Sequence, residues 1–166
     1  MDNKSFFKDK VILITGASSG IGRATALALS QFDSKIVLVS RQEERLNLVK
    51  DEIQVRGGEA LVIKADVSSF EDTQKIVRDT VLKWARVDIL IACAGKYFQD
   101  NTSELDIQSY QDSMALNFFG TLNVIKSLLP EMKRQSGGHI VIINSLDAKK
   151  GIVGDAPYVS EKAALE

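Results

Sequence analysis

The chain has 166 residues, 45% of them hydrophobic and 26% charged, which is enough for one compact unit that buries about two thirds of its unfolded surface without a disulfide or metal staple. A single cysteine, Cys93, and a single histidine, His139, leave no internal disulfide and no Cys/His metal site, and they favour a reducing, cytoplasmic compartment. With 21 basic and 22 acidic side chains mixed along the sequence, charged residues where an export signal needs an apolar run, and no apolar run near the roughly 20 residues of a spanning helix, neither nucleic acid nor membrane is an expected partner.

In chain order, short and mostly β-branched runs at 11–15, 36–39, 61–63, 89–92 and 140–143 predict five buried strands. Helical periodicity occupies 20–32, 42–55, 70–84 and, longest, 107–134. Ser40 with Glu43 and Ser68 with Glu71 have the capping-box spacing and predict the starts of the second and third helices. No repeat or linker interrupts the sequence, and its only prolines are Pro130 and Pro157, so residues 1–166 read as one domain. Alternating strands and helices predict an α/β fold, a doubly wound (Rossmann-like) parallel sheet with right-handed crossovers and helices on both faces. In such sheets ligands bind beyond the carboxyl ends of the strands, where strand order reverses.

Strand one runs through Thr15-Gly16-Ala17-Ser18-Ser19-Gly20-Ile21-Gly22 directly into a helix. Glycines there permit a tight turn and close backbone approach, and the helix start offers free N–H groups and a positive dipole end to a pyrophosphate. The G-x-x-x-G-x-G spacing, which differs from G-x-G-x-x-G, resembles the cofactor loop of the short-chain dehydrogenase/reductase family. The resemblance covers essentially the whole chain, and it implies that Gly16, Ser18, Ser19, Gly20, Ile21 and Gly22 hold a nicotinamide dinucleotide. After strand two, where NAD enzymes of this fold often carry an acidic side chain for the ribose 2′-hydroxyl, stand Ser40-Arg41. A guanidinium forks onto a 2′-phosphate that a carboxylate would repel, so NADP(H) is preferred over NAD(H). Arg23 either assists or is a plain surface charge. By resemblance, Asp66 and Val67 after strand three lie beside the adenine, while a turn or cap role fits Asp66 equally well. After strand four, Ala92-Cys93-Ala94-Gly95 stands where the family has Asn-Asn-Ala-Gly. Ala94 and Gly95 keep the small residues that let the backbone approach the cofactor ribose. Cys93 reads as a buried apolar residue because no histidine is placed to activate it, and His139 reads as a surface or sheet-edge residue.

Ser145 ends strand five, Tyr158 follows thirteen positions later, and Lys162 comes four after that. Pro157 suits a helix's first turn, which puts Tyr158 and Lys162 on one helical face. A phenol is a weak acid, but an adjacent ammonium and an oxidised nicotinamide both favour its phenolate. Carbonyl reduction needs a hydride on carbon and a proton on the oxygen that becomes negative. Tyr158 is the expected proton donor, and Ser145 fixes the same oxygen as a neutral donor, so these two contact substrate. By resemblance, Lys162 with Tyr158 also holds the nicotinamide ribose. Asn117 matches the helix asparagine thought to hold a water in the proton relay, completing an Asn117, Ser145, Tyr158, Lys162 catalytic set.

The resemblance thus implies an NADP(H)-dependent oxidoreductase acting on a small carbonyl or secondary alcohol, with 3-oxoacyl, steroid, sugar and xenobiotic substrates not separated. It also implies a homodimer or homotetramer formed through the helix carrying Asn117 and the one beginning near Tyr158. Glu166 lies one helical turn beyond Lys162, whereas family members continue further. The expectation is therefore a fragment lacking its C-terminal strands, with strand five left as an edge and little turnover by itself. The alternative from another class is a non-catalytic NADP(H)-binding or regulatory module.

Overall fold

The computed structural model describes residues 3–98 and 105–166, with side chains from Ser5 onward; Met1 and Asp2 of the charged opening lie outside the described residues. Among these residues five strands, β1 (Val11–Thr15), β2 (Lys35–Ser40), β3 (Glu59–Lys64), β4 (Ile89–Ala92) and β5 (His139–Ile142), form one sheet. Every pairing is parallel and the order is β3-β2-β1-β4-β5. The chain builds outward from β1 through β2 and β3, then crosses back to place β4 on the other side of β1. The reversal predicted for a doubly wound sheet therefore falls between β1 and β4.

The helices are α1 (Asn3–Phe7), α2 (Gly20–Leu29), α3 (Glu43–Val55), α4 (Phe70–Trp84), α5 (Ile107–Ser113), α6 (Gly120–Arg134) and α7 (Ala156–Ala164). Alternate strand residues feed opposite cores. Ile12, Ile14, Ile36 and Leu38 pack with Ala26 of α2 and Leu46, Val49 and Ile53 of α3. Leu13, Val37, Val39 and Leu90 pack with Ile76 of α4 and Val124 and Leu128 of α6. A strand buried on both faces must be apolar along its length, which is why β1 reads as an apolar run from Val11 to Ile14 before its closing Thr15. β5, by contrast, is largely exposed at the sheet edge, with His139 at its start against the Phe6 ring, 5.6 Å between centroids.

Local details differ from the sequence expectations for identifiable reasons. Ser40 does not cap α3: its hydroxyl accepts from the Gln42 amide at 3.0 Å, and Gln42 itself precedes the first helical residue with no side-chain cap. The cap of α4 is Ser69, accepting from Asp72 N at 3.2 Å, because the Ser68 hydroxyl is committed to Asp66 Oδ1 at 2.7 Å. Residues 30–32 tighten into a 3₁₀ turn that ends at Asp33 in the left-handed region (φ 56°). The long helix predicted over 107–134 is continuous, yet its middle, Met114–Phe119, is wound as a π-helix. α1 was not predicted; it is only one turn long and is held by Phe7 stacked on Phe32 at 5.6 Å. Among the described residues no helix is long and apolar enough to cross a membrane.

Candidate functional site

The site begins where β1 and β4 end side by side. Thr15, the last residue of β1, is buried, and its Oγ1 accepts from the amides of Cys93 (3.2 Å) and Ala94 (3.0 Å), tying the loop after β4 to the loop after β1. The next residue, Gly16, has φ +67°, and a Cβ there would stand 2.8 Å from the Cys93 carbonyl oxygen. Gly22 is equally confined, since its Cβ would meet Gly16 O at 2.5 Å. Only glycine lets the turn fold this tightly onto its neighbour and onto the first turn of α2.

At the start of α2, Ser19 is the N-cap but its side chain caps no amide, and no acidic residue occupies the first turn. That helix end keeps its N–H donors and its positive dipole end for an external anion. It opens on a cleft of about 350 Å³. Gly16, Ser18, Ser19, Gly20, Ile21, Gly22, Arg41, Asp66, Val67, Ala94 and Gly95, all singled out in the sequence, line this one cleft. Arg45, in the first turn of α3, lines it too, beside Arg41 of the preceding turn. Arg23 is not among the lining residues; its guanidinium pairs with Glu52 of α3.

Two opposite charges meet at the β2–β3 end of the cleft. Arg41 Nη1 donates to Asp66 Oδ2 at 3.5 Å, and Asp66 Oδ1 accepts from the Ser68 amide (2.9 Å) and hydroxyl (2.7 Å). Partial burial pushes the Asp66 carboxyl up, but the Ser68 hydrogen bonds and the Arg41 charge together outweigh it and hold the group below its ordinary value. Asp66 therefore organises its own turn while also lining the cleft.

Tyr158, Lys162 and Asn117 come together beyond the β4 and β5 ends. Tyr158 and Lys162 share a face of α7, with Lys162 Nζ 5.6 Å from the centroid of the Tyr158 ring. The ammonium donates to Ile143 O at 3.1 Å, and Ile143 lines the cleft just described. Nearby, burial pushes the Cys93 thiol up to about 11 against the pull of Lys162, so it stays protonated and unreactive at neutral pH. The Tyr158 ring also meets Tyr97 edge-on at 5.1 Å, and Tyr97 donates a short hydrogen bond to Asp155 at the start of α7.

Asn117 is buried in the π-wound segment, where it works as a backbone mimic. Its Oδ1 accepts from Lys96 N (2.9 Å), while Nδ2 donates to Lys96 O (2.8 Å) and to Glu161 Oε1 (2.9 Å). Both amide hydrogens are thus committed to protein. Ser145 caps a 3₁₀ turn (Leu146–Lys149) that packs on α7, its hydroxyl accepting from Asp147 N at 3.2 Å and lying 3.1 Å from Asp147 Oδ2. Thr15, Arg45, Tyr97 and Glu161 were not singled out in the sequence. Of these, only Arg45 carried a usable signal there, as a second arginine four positions after Arg41.

A doubly wound sheet with a glycine turn at its reversal and a Tyr-x-x-x-Lys helix beside it defines a class of protein. The model of the short chain dehydrogenase family matches residues 10–166, and the chain belongs to that family. It is 37% identical over 158 residues to an uncharacterized oxidoreductase of Listeria monocytogenes, covering 95% of this chain and 64% of that protein. A 3-ketoacyl-ACP reductase from Sinorhizobium meliloti superposes with a TM-score of 0.89 at 36% identity, over 93% of this chain and 62% of that one. A 7α-hydroxysteroid dehydrogenase, solved with NADH and 7-oxo glycochenodeoxycholic acid, gives a TM-score of 0.93 at 27% identity, over 99% and 64%. The chain therefore spans a little under two thirds of the length of these relatives.

Proposed function

We propose that the protein is an NADP(H)-dependent oxidoreductase that interconverts a carbonyl and a secondary alcohol on a small molecule, with residues 1–166 forming one nucleotide-binding unit. The family uses a nicotinamide dinucleotide, NAD(H) or NADP(H), and the cleft fits one. It has an uncapped helix end free of acidic side chains, glycines that bring backbone to the surface, and two arginines where a 2′-phosphate would lie. When bound, the nicotinamide supplies or takes up the hydride. The chain's own residues do the rest. Arg41 and Arg45 hold the 2′-phosphate, and the first turn of α2 holds the pyrophosphate.

Tyr158 gives the proton to the carbonyl oxygen in reduction and takes it back in oxidation, and Lys162, fixed by Ile143 O, keeps a positive charge beside the phenol. Ser145 donates to the same oxygen once its hydroxyl hydrogen leaves Asp147. Tyr97, edge-on to Tyr158, forms an aromatic wall at the substrate position. A homodimer or homotetramer through α5–α6 is supported by Phe119, Leu122 and Leu129, which stay 40–53% exposed along that helix.

The single observation that carries this reading is the placement of the Tyr158–Lys162 face against Ile143 at the edge of the glycine-turn cleft. Its test is NADPH consumption by the full-length protein, followed at 340 nm with a panel of 3-oxoacyl, steroid, sugar and aromatic carbonyls. Turnover that depends on Tyr158 is expected, whereas nucleotide binding with no turnover would support a non-catalytic NADP(H)-binding module instead.

A further inference from the structure

Among the described residues, Glu161 is the one charged side chain that is completely buried. It sits on α7 between two members of the proposed catalytic set: Oε1 accepts from Asn117 Nδ2 at 2.9 Å and lies 4.0 Å from Lys162 Nζ. Oε2 has no hydrogen-bond partner among the described residues. A carboxylate with a bare oxygen in a dry site is expensive unless it takes up a proton or is neutralised by a neighbour. Lys162 is a poor neutraliser here, since its ammonium is turned to Ile143 O and stands at the outer limit of an ion pair.

We propose that Glu161 is a proton-holding neighbour of Lys162, and that its ionisation sets how much of the Lys162 charge reaches Tyr158. It rests on the catalytic reading above, and it makes Glu161 a positioning residue that acts through Lys162 and touches neither substrate nor cofactor. With Glu161 neutral, the ammonium acts at full strength on the phenol. With Glu161 ionised, part of that field is cancelled and the phenolate is less favoured.

Burial pushes the Glu161 carboxyl up to about 7, against the downward pull of Lys162 and of the Asn117 hydrogen bond, so it changes charge near neutral pH. Lys162 is the charge that pulls on it; in the loop after β4, Lys96 meets Asn117 through its backbone with its ammonium over the Phe98 ring, and the Cys93 thiol stays protonated beside Lys162. α5, the π-wound segment and the 3₁₀ turn pack against α7. Their titratable groups are Tyr110 and Asp112 on α5 and Asp147 and Lys149 on the turn, with none on the π segment. Asp112 is bonded to Gln108, Asp147 to Ser145 and Lys149 to Glu166. On α7 itself, Tyr158 and Lys162 are the partners already named, and Asp155 at its start is taken by Tyr97.

The test is a pH titration of protein labelled with ¹³C at glutamate Cδ, compared with Glu161→Gln, which keeps an acceptor for Asn117. One carboxyl signal titrating near neutrality, present in the unmodified protein and missing from the variant, is expected. In the alcohol-oxidation direction, the rising limb of the pH–rate profile should move to lower pH by about one unit in the variant, because nothing then offsets Lys162. A glutamate set that all titrates below pH 5.5, or a profile that is scaled down without moving, overturns the proposal. The labelled titration of the unmodified protein needs neither a folded variant nor turnover. A titrating Glu161 in a protein that reduces no carbonyl would therefore discard the catalytic reading while leaving the buried proton in place.

Discussion

Arg41 stands 3.5 Å from Asp66, with its side chain 63% exposed, and a phosphate brought to the same guanidinium must compete with that carboxylate. The contest is unequal. An exposed pair of this kind contributes at most about 1 kcal/mol, whereas charge-assisted bonds to a phosphate contribute about 1.5–3 kcal/mol. Arg41→Asp should therefore raise the Kd for NADPH by roughly ten- to a hundredfold and leave NADH nearly unchanged, as read by quenching of protein fluorescence. Equal affinities for the two nucleotides in the unmodified protein would remove the 2′-phosphate assignment. Tyr158 belongs to the same scale. Tyr158→Phe keeps the ring against Tyr97 and Lys162 but deletes the proton, so kcat should fall by roughly 10²–10⁴ with nucleotide binding retained. A variant that still turns over at the original rate would move the acid–base role elsewhere.

At the scale of elements, the site depends on two loops being held in register by one side chain. Thr15 closes β1 and accepts from two amides of the loop after β4. Thr15→Val keeps the shape but removes the acceptor, so unfolding in urea should show a loss of about 1–3 kcal/mol, with weaker nucleotide binding because Ala94 and Gly95 are no longer fixed. An unchanged midpoint would mean that water replaces the hydroxyl. Such devices explain which parts of the fold could be read from the sequence. Strands buried on both faces announce themselves as apolar runs, and glycines at Gly16 and Gly22 are a direct trace of the tight turn they permit. Tyr158 and Lys162 are spaced by one helical turn, so their shared face follows from arithmetic. The π winding of Met114–Phe119 leaves no such mark, because its residues are as compatible with an α-helix. Ser68 and Ser69 are chemically interchangeable as caps, and only the claim of Asp66 on Ser68 decides between them. Glu161, flanked by Ser160 and Lys162, looks like a solvated helix charge until packing against Asn117 removes its water.

For the molecule as a whole, that buried carboxyl ties stability to pH. Glu161 titrates at about 7 in the fold against an ordinary value of 4.5, so between those limits the native state keeps a proton that the unfolded chain has already released. Stability should be greatest at the acid end of this window, fall as pH rises through it, and level off above pH 7. The fall amounts to about 3 kcal/mol if the full displacement is felt, at about 1.36 kcal/mol per unit. The carboxyls of Asp66 and Glu131, held below their ordinary values by hydrogen bonds and arginines that outweigh burial, act in the opposite sense and below pH 4.5, so they leave the window undisturbed. Urea midpoints measured from pH 4.5 to 8 should decline in the unmodified protein and stay flat in Glu161→Gln, whose side chain carries no proton to lose. If both proteins decline in parallel, some other group binds the proton and the burial of Glu161 has been compensated by a partner. If neither declines, the carboxyl is ionised across the range and Lys162 neutralises it more fully than a 4.0 Å separation allows.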